Sequence, residues 1–151
     1  MIKNNEKALL YLLRHFRRLS KMELTKRSFL VSQANNIYDY VPYKYGPFSF
    51  QLYDDLKHLE KNNFVKIDGE IVEIFNDEFP EPDISIRRAL NYHISQYGEW
   101  NNSQIREFVY DKYPFFTIYS EIEKKMEYKP DEKGIITIGY EGKSVDKFYL
   151  N

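Results

Sequence analysis

One stretch near the middle of the chain constrains the fold most, because it combines a chain break, a helix start and a hairpin. Gly46-Pro47 interrupts regular structure, since glycine permits unusual backbone angles and proline fixes its φ and lacks an N–H. Ser49 can then cap a helix that runs to about Asn62. The apolar residues of this helix recur at helical spacing and form one buried face: Leu52, Leu56 and Leu59, with Tyr53 beside them.

Two β-rich runs, residues 64–67 and 70–75, follow that helix and are separated by Asp68-Gly69. Asp-Gly between such runs is typical of a tight two-residue hairpin turn. A capped helix followed by a hairpin is the second half of a winged helix. We therefore predict a mainly α fold of the α+β type, a winged-helix-like domain with the hairpin as its wing and three additional C-terminal helices.

Two helices precede this unit. The first is predicted from Asn5 to about Leu19, and the second runs from about Met22 to Ala34 after Ser20, which can cap it. Each is expected to bury one apolar side. Residues 38–45 are predicted to be an extended loop, because Pro42 disfavours helical angles at the residue before it.

The second half of the chain starts with a Pro-rich acidic linker, residues 76–83. We predict a helix capped by Asp83 and closed by Gly98, and a last helix from about Thr117. Between them we predict another helix, for which Asn101, Asn102 and Ser103 are all good caps. None of the three has enough apolar surface to be stable alone, so they should pack on the preceding half. Residues 129–133 are a polar linker, and residues 134–151 predict a strand, a Gly-rich turn and a helix capped by Ser144, the first β-α unit of an α/β domain.

Two family resemblances accompany these patterns. The run Tyr-x-Tyr-Gly-Pro-Phe-Ser-x-x-Leu-x-x-Asp-Leu-x-x-Leu resembles small bacterial winged-helix-like proteins of YwgA type and, more distantly, the Panacea antitoxin domain, over roughly residues 5–128. Thr-Ile-Gly-Tyr-Glu-Gly-Lys-Ser-Val-Asp-Lys-Phe resembles the opening of the family called domain of unknown function 488, over roughly residues 134–151. The resemblances imply a domain of residues 1–128 with a role near phage defence or toxin–antitoxin modules, and a fragment cut just inside a second domain. Neither resemblance assigns a catalytic residue to this chain.

Composition indicates the cellular location and excludes cysteine-based sites. The chain has no cysteine, which excludes disulfides and thiolate metal sites, and no signal-peptide core or long apolar run occurs in the 151 residues. We expect a cytoplasmic protein that does not bind a membrane. The 14 tyrosines are informative, since tyrosine packs like an apolar residue yet keeps a polar tip that suits interfaces.

Charge is unevenly distributed although the net charge is −1. Residues 1–30 carry +6 and residues 31–80 carry −5. The basic end is either a phosphate-contacting face or an ordinary solvated helix face, and its arginines also suit a helix C-terminus. The leading hypothesis is duplex-DNA binding, with the helix from Ser49 as the recognition helix. The candidate DNA-binding residues are Arg14, Arg17, Arg18, Lys26, Arg27, Lys44, Ser49, Gln51 and Lys57.

The acidic residues of the same helix argue against close contact with phosphates. Asp54 and Asp55 would repel a DNA backbone, and we expect them instead to form salt bridges to the arginines of the first helix. The alternative is a protein-interaction module of Panacea type, with a homodimer as a further option. Its candidate partner-binding residues are Tyr43, Tyr45, Phe48, Tyr53 and Asp54. If the basic residues flank the helix from Ser49, DNA is favoured, and if they point away, a protein partner is favoured.

No catalytic constellation emerges from the sequence. His15, His58 and His93 fall on three separate predicted helices without metal-ligand spacing. Gly142-Lys143-Ser144 matches the end of a phosphate-binding loop, but Gly139 lies too close to be its first glycine. We expect no cofactor and no metal, and whether the whole protein is an enzyme stays open.

Overall fold

The computed structural model describes residues 2–119, which contain five α-helices, a short 3-10 helix and five short strands. The helices are α1 (Asn4–Phe16), α2 (Lys21–Ala34), α3 (Phe50–Lys61), α4 (Ile84–Tyr97) and α5 (Asn102–Lys112), and the 3-10 helix spans Pro114–Thr117. The strands are β1 (Arg18–Ser20), β2 (Val41–Tyr43), β3 (Gly46–Phe48), β4 (Val65–Asp68) and β5 (Ile71–Ile74). This part of the chain is mainly helical with small antiparallel sheets, which confirms the α+β class.

The first helix ends earlier than predicted. It stops at Phe16, because Arg17 takes a left-handed φ of 72° that no helix can continue. Residues 18–20 then form β1, which pairs antiparallel with β5 and places Leu19 opposite Val72. A three-stranded sheet in the order β1-β5-β4 results. The prediction extended the helix to Leu19 and missed a strand whose partner lies more than fifty residues away.

The predicted β4–β5 hairpin is confirmed, with its turn shifted by one residue. Asp68 pairs with Ile71, so the two turn residues are Gly69 and Glu70 rather than Asp68 and Gly69. Gly69 has φ of 60° and Glu70 does not have a positive φ, as in a type II′ turn, which requires glycine at the first central position.

A second hairpin replaces the predicted extended loop. β2 and β3 pair antiparallel with Val41 opposite Phe48, and Lys44 and Tyr45 form the two-residue turn between them. Gly46, predicted to be a break, has φ of 101° at the start of β3. Glycine adopts this left-handed conformation without the steric cost that a side chain would bring, directly after the two-residue turn. A Cβ there would also lie 3.3 Å from a ring carbon of Tyr110 in α5.

The helix α2 lies between two hydrophobic clusters and is buried on all sides rather than one. Nine consecutive residues, 24–32, are buried. Leu24 and Val31 belong to the larger cluster, with residues of α1, α3, α4 and the three-stranded sheet. Phe29 and Leu30 belong to the smaller cluster, with α5 and an aromatic shell around it. The polar and charged residues of α2 are therefore buried together with the apolar ones.

The acidic linker, residues 76–83, is tied to α1 by its charges. Arg14 forms a bidentate ion pair with Glu81 at 3.1 and 3.2 Å, and its guanidinium lies 4.6 Å from the ring centroid of Phe79. The Arg14 guanidinium holds the pKa of Glu81 below its usual range. Arg17 pairs with Asp77 at 3.4 Å. The arginines of the first helix thus bind the linker, and not the carboxylates of α3 as predicted.

The C-terminal helices begin largely as predicted. Asn101 caps α5 in a capping box with Gln104, and Gly98 closes α4. Asp83 precedes α4, but its carboxylate makes no capping bond and accepts instead from the Asn4 amide. Both α4 and α5 contact α2. Most of the predicted last helix, the linker 129–133 and the β-α unit 134–151 lie outside the described residues.

Candidate functional site

The β2–β3 hairpin forms one wall of a cavity of about 430 Å³ on the surface of the described domain. The other walls come from α2, from α3 and from the β4–β5 turn. We call this cavity the aromatic groove, and its lining residues are Met22, Thr25, Lys26, Tyr43, Tyr45, Gly46, Pro47, Phe48, Tyr53 and Glu70.

The walls of the groove consist in large part of aromatic rings. Phe48 lies at the centre of the ring contacts, with centroids 4.7 Å from Tyr43, 4.6 Å from Tyr53 and 4.8 Å from Phe50. Tyr43, Tyr45 and Phe50 are exposed over 41%, 42% and 64% of their surfaces. Lys21 adds a cation over the Tyr53 ring at 5.8 Å. A contiguous patch of exposed aromatic surface of this kind is characteristic of a binding site.

The cap at Ser49 positions these rings. Ser49 is buried, and its hydroxyl accepts from the Leu52 N–H at 3.2 Å, which confirms the predicted start of α3. The cap places Phe48 on the strand side of the junction and Phe50 at the first helical position. Tyr53 follows three residues later and reaches the groove from the helix.

Lys26 is the unusual member of the lining. Its side chain is 3% exposed, and among residues 2–119 its ammonium has no hydrogen-bond or ion-pair partner. Burial and, to a smaller extent, the nearby charge of Arg106 together lower the pKa of Lys26 to about 8, while Glu23 acts in the opposite direction. Glu23 itself is engaged with Arg27 at 2.9 Å.

Arg27 has a structural role in the core. It is 1% exposed and donates to the carbonyl oxygens of Tyr97 at 3.0 Å and Trp100 at 2.8 Å, which lie at the C-terminal end of α4. These contacts satisfy acceptors that a helix end leaves free. Arg27 also lies 3.2 Å from His93 Nε2. Because a guanidinium only donates, His93 accepts at Nε2 and carries its proton on Nδ1.

The predicted DNA-binding residues are spread over several environments. Lys26 and Arg27 are buried in α2, and Ser49 is a buried cap. Arg14 and Arg17 pair with the acidic linker. Gln51 is exposed but donates to Asp55 at 2.8 Å. Exposed positions are occupied by Arg18 in β1, Lys44 in the β2–β3 turn and Lys57 on α3. The structure therefore does not bring the basic cluster together as one free surface.

The predicted partner-binding residues lie closer together than the predicted DNA-binding residues do. Tyr43, Tyr45, Phe48 and Tyr53 all line the aromatic groove. Asp54 is exposed on α3 and lies outside that lining.

Asp55 differs from its neighbour. It is buried and accepts from Lys3 at 2.9 Å, Tyr38 at 2.6 Å and Gln51, so it forms a salt bridge to the start of α1 and not to an arginine. Burial raises the pKa of Tyr38, and its hydrogen bond to Asp55 raises it further. The carboxylate of Asp55 is thus part of the core and contributes little charge to the surface of α3.

Sequence reasoning missed Met22, Glu70 and Phe50 around the groove, and it assigned Lys26 to a surface. One available signal was the poor amphipathicity of α2, in which charged and apolar residues are mixed around the helix. Such a pattern indicates a helix with neighbours on more than one side.

Comparisons of the chain with protein-family models, with curated proteins and with solved structures find no match. Within residues 2–119 no group of three or more histidine or acidic side chains is arranged to hold a metal ion. None of the helices described there has the length and apolar character needed to cross a membrane.

Proposed function

We propose that residues 2–119 form a winged-helix-like interaction module and that its aromatic groove binds an apolar segment of a partner protein. The element order supports the first part, since α1, β1, α2 and α3 are followed by the β4–β5 hairpin, and β1 joins that hairpin in one sheet. The hairpin then corresponds to the wing. The β2–β3 hairpin lies between α2 and α3 and is an addition to this order.

The observation that carries the proposal is the exposure of Tyr43, Tyr45 and Phe50 around a formed cavity. Tyrosine and phenylalanine are enriched in interface cores, where a few aromatic residues in a desolvated pocket supply most of the binding energy. The groove is built on paired strands and a capped helix, so its walls are largely preorganised. Little conformational entropy would be lost on binding.

Charge supports a protein partner over DNA as the main function. The predicted basic residues do not form a free surface beside α3, because Lys26 and Arg27 are buried and Arg14 and Arg17 pair with the linker. Asp54 is exposed on α3 and Glu70 lines the groove. Both carboxylates would repel a phosphate backbone and are compatible with a protein surface. The partner can be a separate protein, as in the Panacea-type modules that the sequence resembles, or a second copy of this chain.

Site-specific crosslinking tests this proposal. A photoreactive phenylalanine analogue at position 45 should crosslink a partner that mass spectrometry identifies, whereas the same analogue at Tyr92, which is 58% exposed on α4 and outside the groove, should not. The purified partner is then titrated. Tyr43→Ala or Tyr45→Ala should weaken binding by roughly 5- to 30-fold, the effect of losing about 1–2 kcal/mol. Tyr92→Ala is the matched control.

Equal affinity of the groove variants and the wild type would contradict the proposal. Light scattering of the free chain distinguishes a second copy from a separate partner. Self-association that Tyr45→Ala abolishes would make the groove a homodimer interface.

Duplex-DNA binding is the second candidate, because Lys44, Lys57 and Lys61 are exposed and have no ion-pair partner within residues 2–119. A titration against salt tests it, since log affinity falls with log salt at a slope of about −0.9 per phosphate contact. Lys57→Ala should flatten the slope by about one unit and Lys112→Ala should leave it unchanged. No binding at low salt by the folded protein would reject this function.

A further inference from the structure

The aromatic groove contains one charged group that the proposed function does not use. Lys26 is almost fully buried, lines the cavity and has no partner in the described part of the chain. The ammonium of a lysine that is only 3% exposed keeps little of its hydration, and no ion pair or hydrogen bond within residues 2–119 replaces what is lost. An anion in the groove would supply the missing acceptor.

The charges around Lys26 favour an anion of a single charge. Arg106 on α5 lies close enough to lower the pKa of Lys26, and no ion pair of Arg106 occurs among the described residues. Glu23, the nearest carboxylate on α2, is already bound to Arg27. Glu70 lines the cavity and would repel a second negative charge. A carboxylate therefore fits better than a phosphate dianion.

We infer that the groove takes the C-terminal residue of a partner protein, with an apolar side chain against the aromatic rings and the terminal carboxylate on Lys26. This inference rests on the proposed function and names the chemistry of its ligand. Its basis is the pairing, in one cavity, of aromatic walls with an ammonium that has no partner within residues 2–119.

A C-terminal residue fits this groove better than an internal acidic segment does. A terminal residue presents an apolar side chain and a carboxylate on the same Cα, so one residue satisfies both features. An internal segment would continue at both ends and bury further backbone N–H and C=O groups that need partners. In the lining, the Thr25 hydroxyl is not available as a donor, because it already donates to the Lys21 carbonyl oxygen at 2.7 Å.

Fluorescence polarisation with synthetic peptides tests the inference on the full chain. The probes are labelled hexapeptides that end in Val, Leu or Phe, each as a free acid and as a C-terminal amide. We expect the free acids to bind at least about tenfold more tightly than the amides, the difference of one charge-assisted hydrogen bond. Lys26→Met should remove this discrimination and Lys112→Met should preserve it. A merely structural lysine would not alter the ratio between acid and amide.

The affinity for the free acids should also decrease as pH rises through about 8, where Lys26 loses its proton. The charged groups that act on Lys26 are Arg106 from α5 and Glu23 from α2. The other titratable groups around it are Glu70 from the β4–β5 turn, Tyr43 and Tyr45 from the β2–β3 hairpin and Tyr53 from α3, which line the same cavity, and Tyr110 from α5, which lies beside Gly46 together with Lys26. Lys26→Met should show no such decrease, and its melting temperature confirms that it is folded.

Three results would overturn the inference. Equal binding of acids and amides, lost in Tyr45→Ala, would leave the groove as a partner site without a carboxylate subsite. Binding of an amidated peptide with an internal Asp as tight as that of the free acids would assign Lys26 to a side-chain carboxylate. Absence of binding by every peptide would reject the terminal ligand, and the crosslinking partner described above would decide the proposed function separately.

Discussion

The buried histidine His93 should make the stability of this domain depend on pH, and His93→Gln should remove much of that dependence. His93 is 2% exposed, and burial lowers its pKa to about 3, with a further contribution from the charge of Arg27. The variant keeps an acceptor for Arg27, since the glutamine amide oxygen can take the place of Nε2, but it cannot bind a proton.

The size of the effect follows from the two pKa values. The unfolded chain protonates His93 near pH 6.5, whereas the folded chain protonates it only near pH 3. Between these values the unfolded state binds more protons, so the free energy of unfolding decreases as pH falls. From pH 7.5 to 5.0 the free energy of unfolding decreases by about 2 kcal/mol, which corresponds to about 1.5 pK units. The total decrease approaches about 5 kcal/mol below pH 3.

Urea unfolding followed by the fluorescence of Trp100, the single tryptophan, measures this difference. Wild type should lose about 2 kcal/mol more than His93→Gln between pH 7.5 and 5.0. His15→Gln, at an exposed histidine, is the matched control and should behave like wild type. If His93→Gln and wild type lose equal stability over this range, the argument from burial is refuted.

Two further predictions concern the core. Leu56 is 1% exposed on the inner face of α3, so Leu56→Ala should lower the free energy of unfolding by about 2–5 kcal/mol in the same assay, and a loss below about 1 kcal/mol would mean that this face is wrongly assigned. Lys26→Met should raise the melting temperature at pH 7, because methionine is similar in length to lysine but carries no charge, so a buried charge without a partner in residues 2–119 is removed. Wild-type stability should rise between about pH 8 and 10.5, because in this range Lys26 is largely deprotonated in the folded chain and still protonated in the unfolded chain. The variant should lack that rise, and a lower melting temperature of the variant would contradict the reasoning.

Local signals predicted the helices well where a cap and an apolar face coincided. Ser20, Ser49 and Asn101 all cap helices, and the buried face of α3 is the predicted one. These features depend on residues within one or two turns, so a sequence window contains all of the information.

The sequence could not predict features that depend on distant partners. β1 is only three residues long and exists because β5 pairs with it. From the sequence alone, Arg27 is expected on the surface. It is buried because its guanidinium donates to a carbonyl group at the end of α4, seventy residues later in the chain. Lys26 is buried because α5 and the β2–β3 hairpin cover α2. The tyrosines of the groove were predicted from the sequence as candidate partner-binding residues, whereas Lys26 was a candidate for DNA binding.

The contacts of Arg27 set a lower limit on how short a working version of this protein can be. A chain cut at the acidic linker would keep α1 to β5, which include the first three helices and all five strands described. It would also strip Arg27 of the Tyr97 and Trp100 oxygens and uncover the side of α2 that packs on α4 and α5. The fragment would hold a guanidinium in a half-open core, with Glu23 as its remaining acidic neighbour. Expression boundaries for this protein should therefore be placed beyond α5.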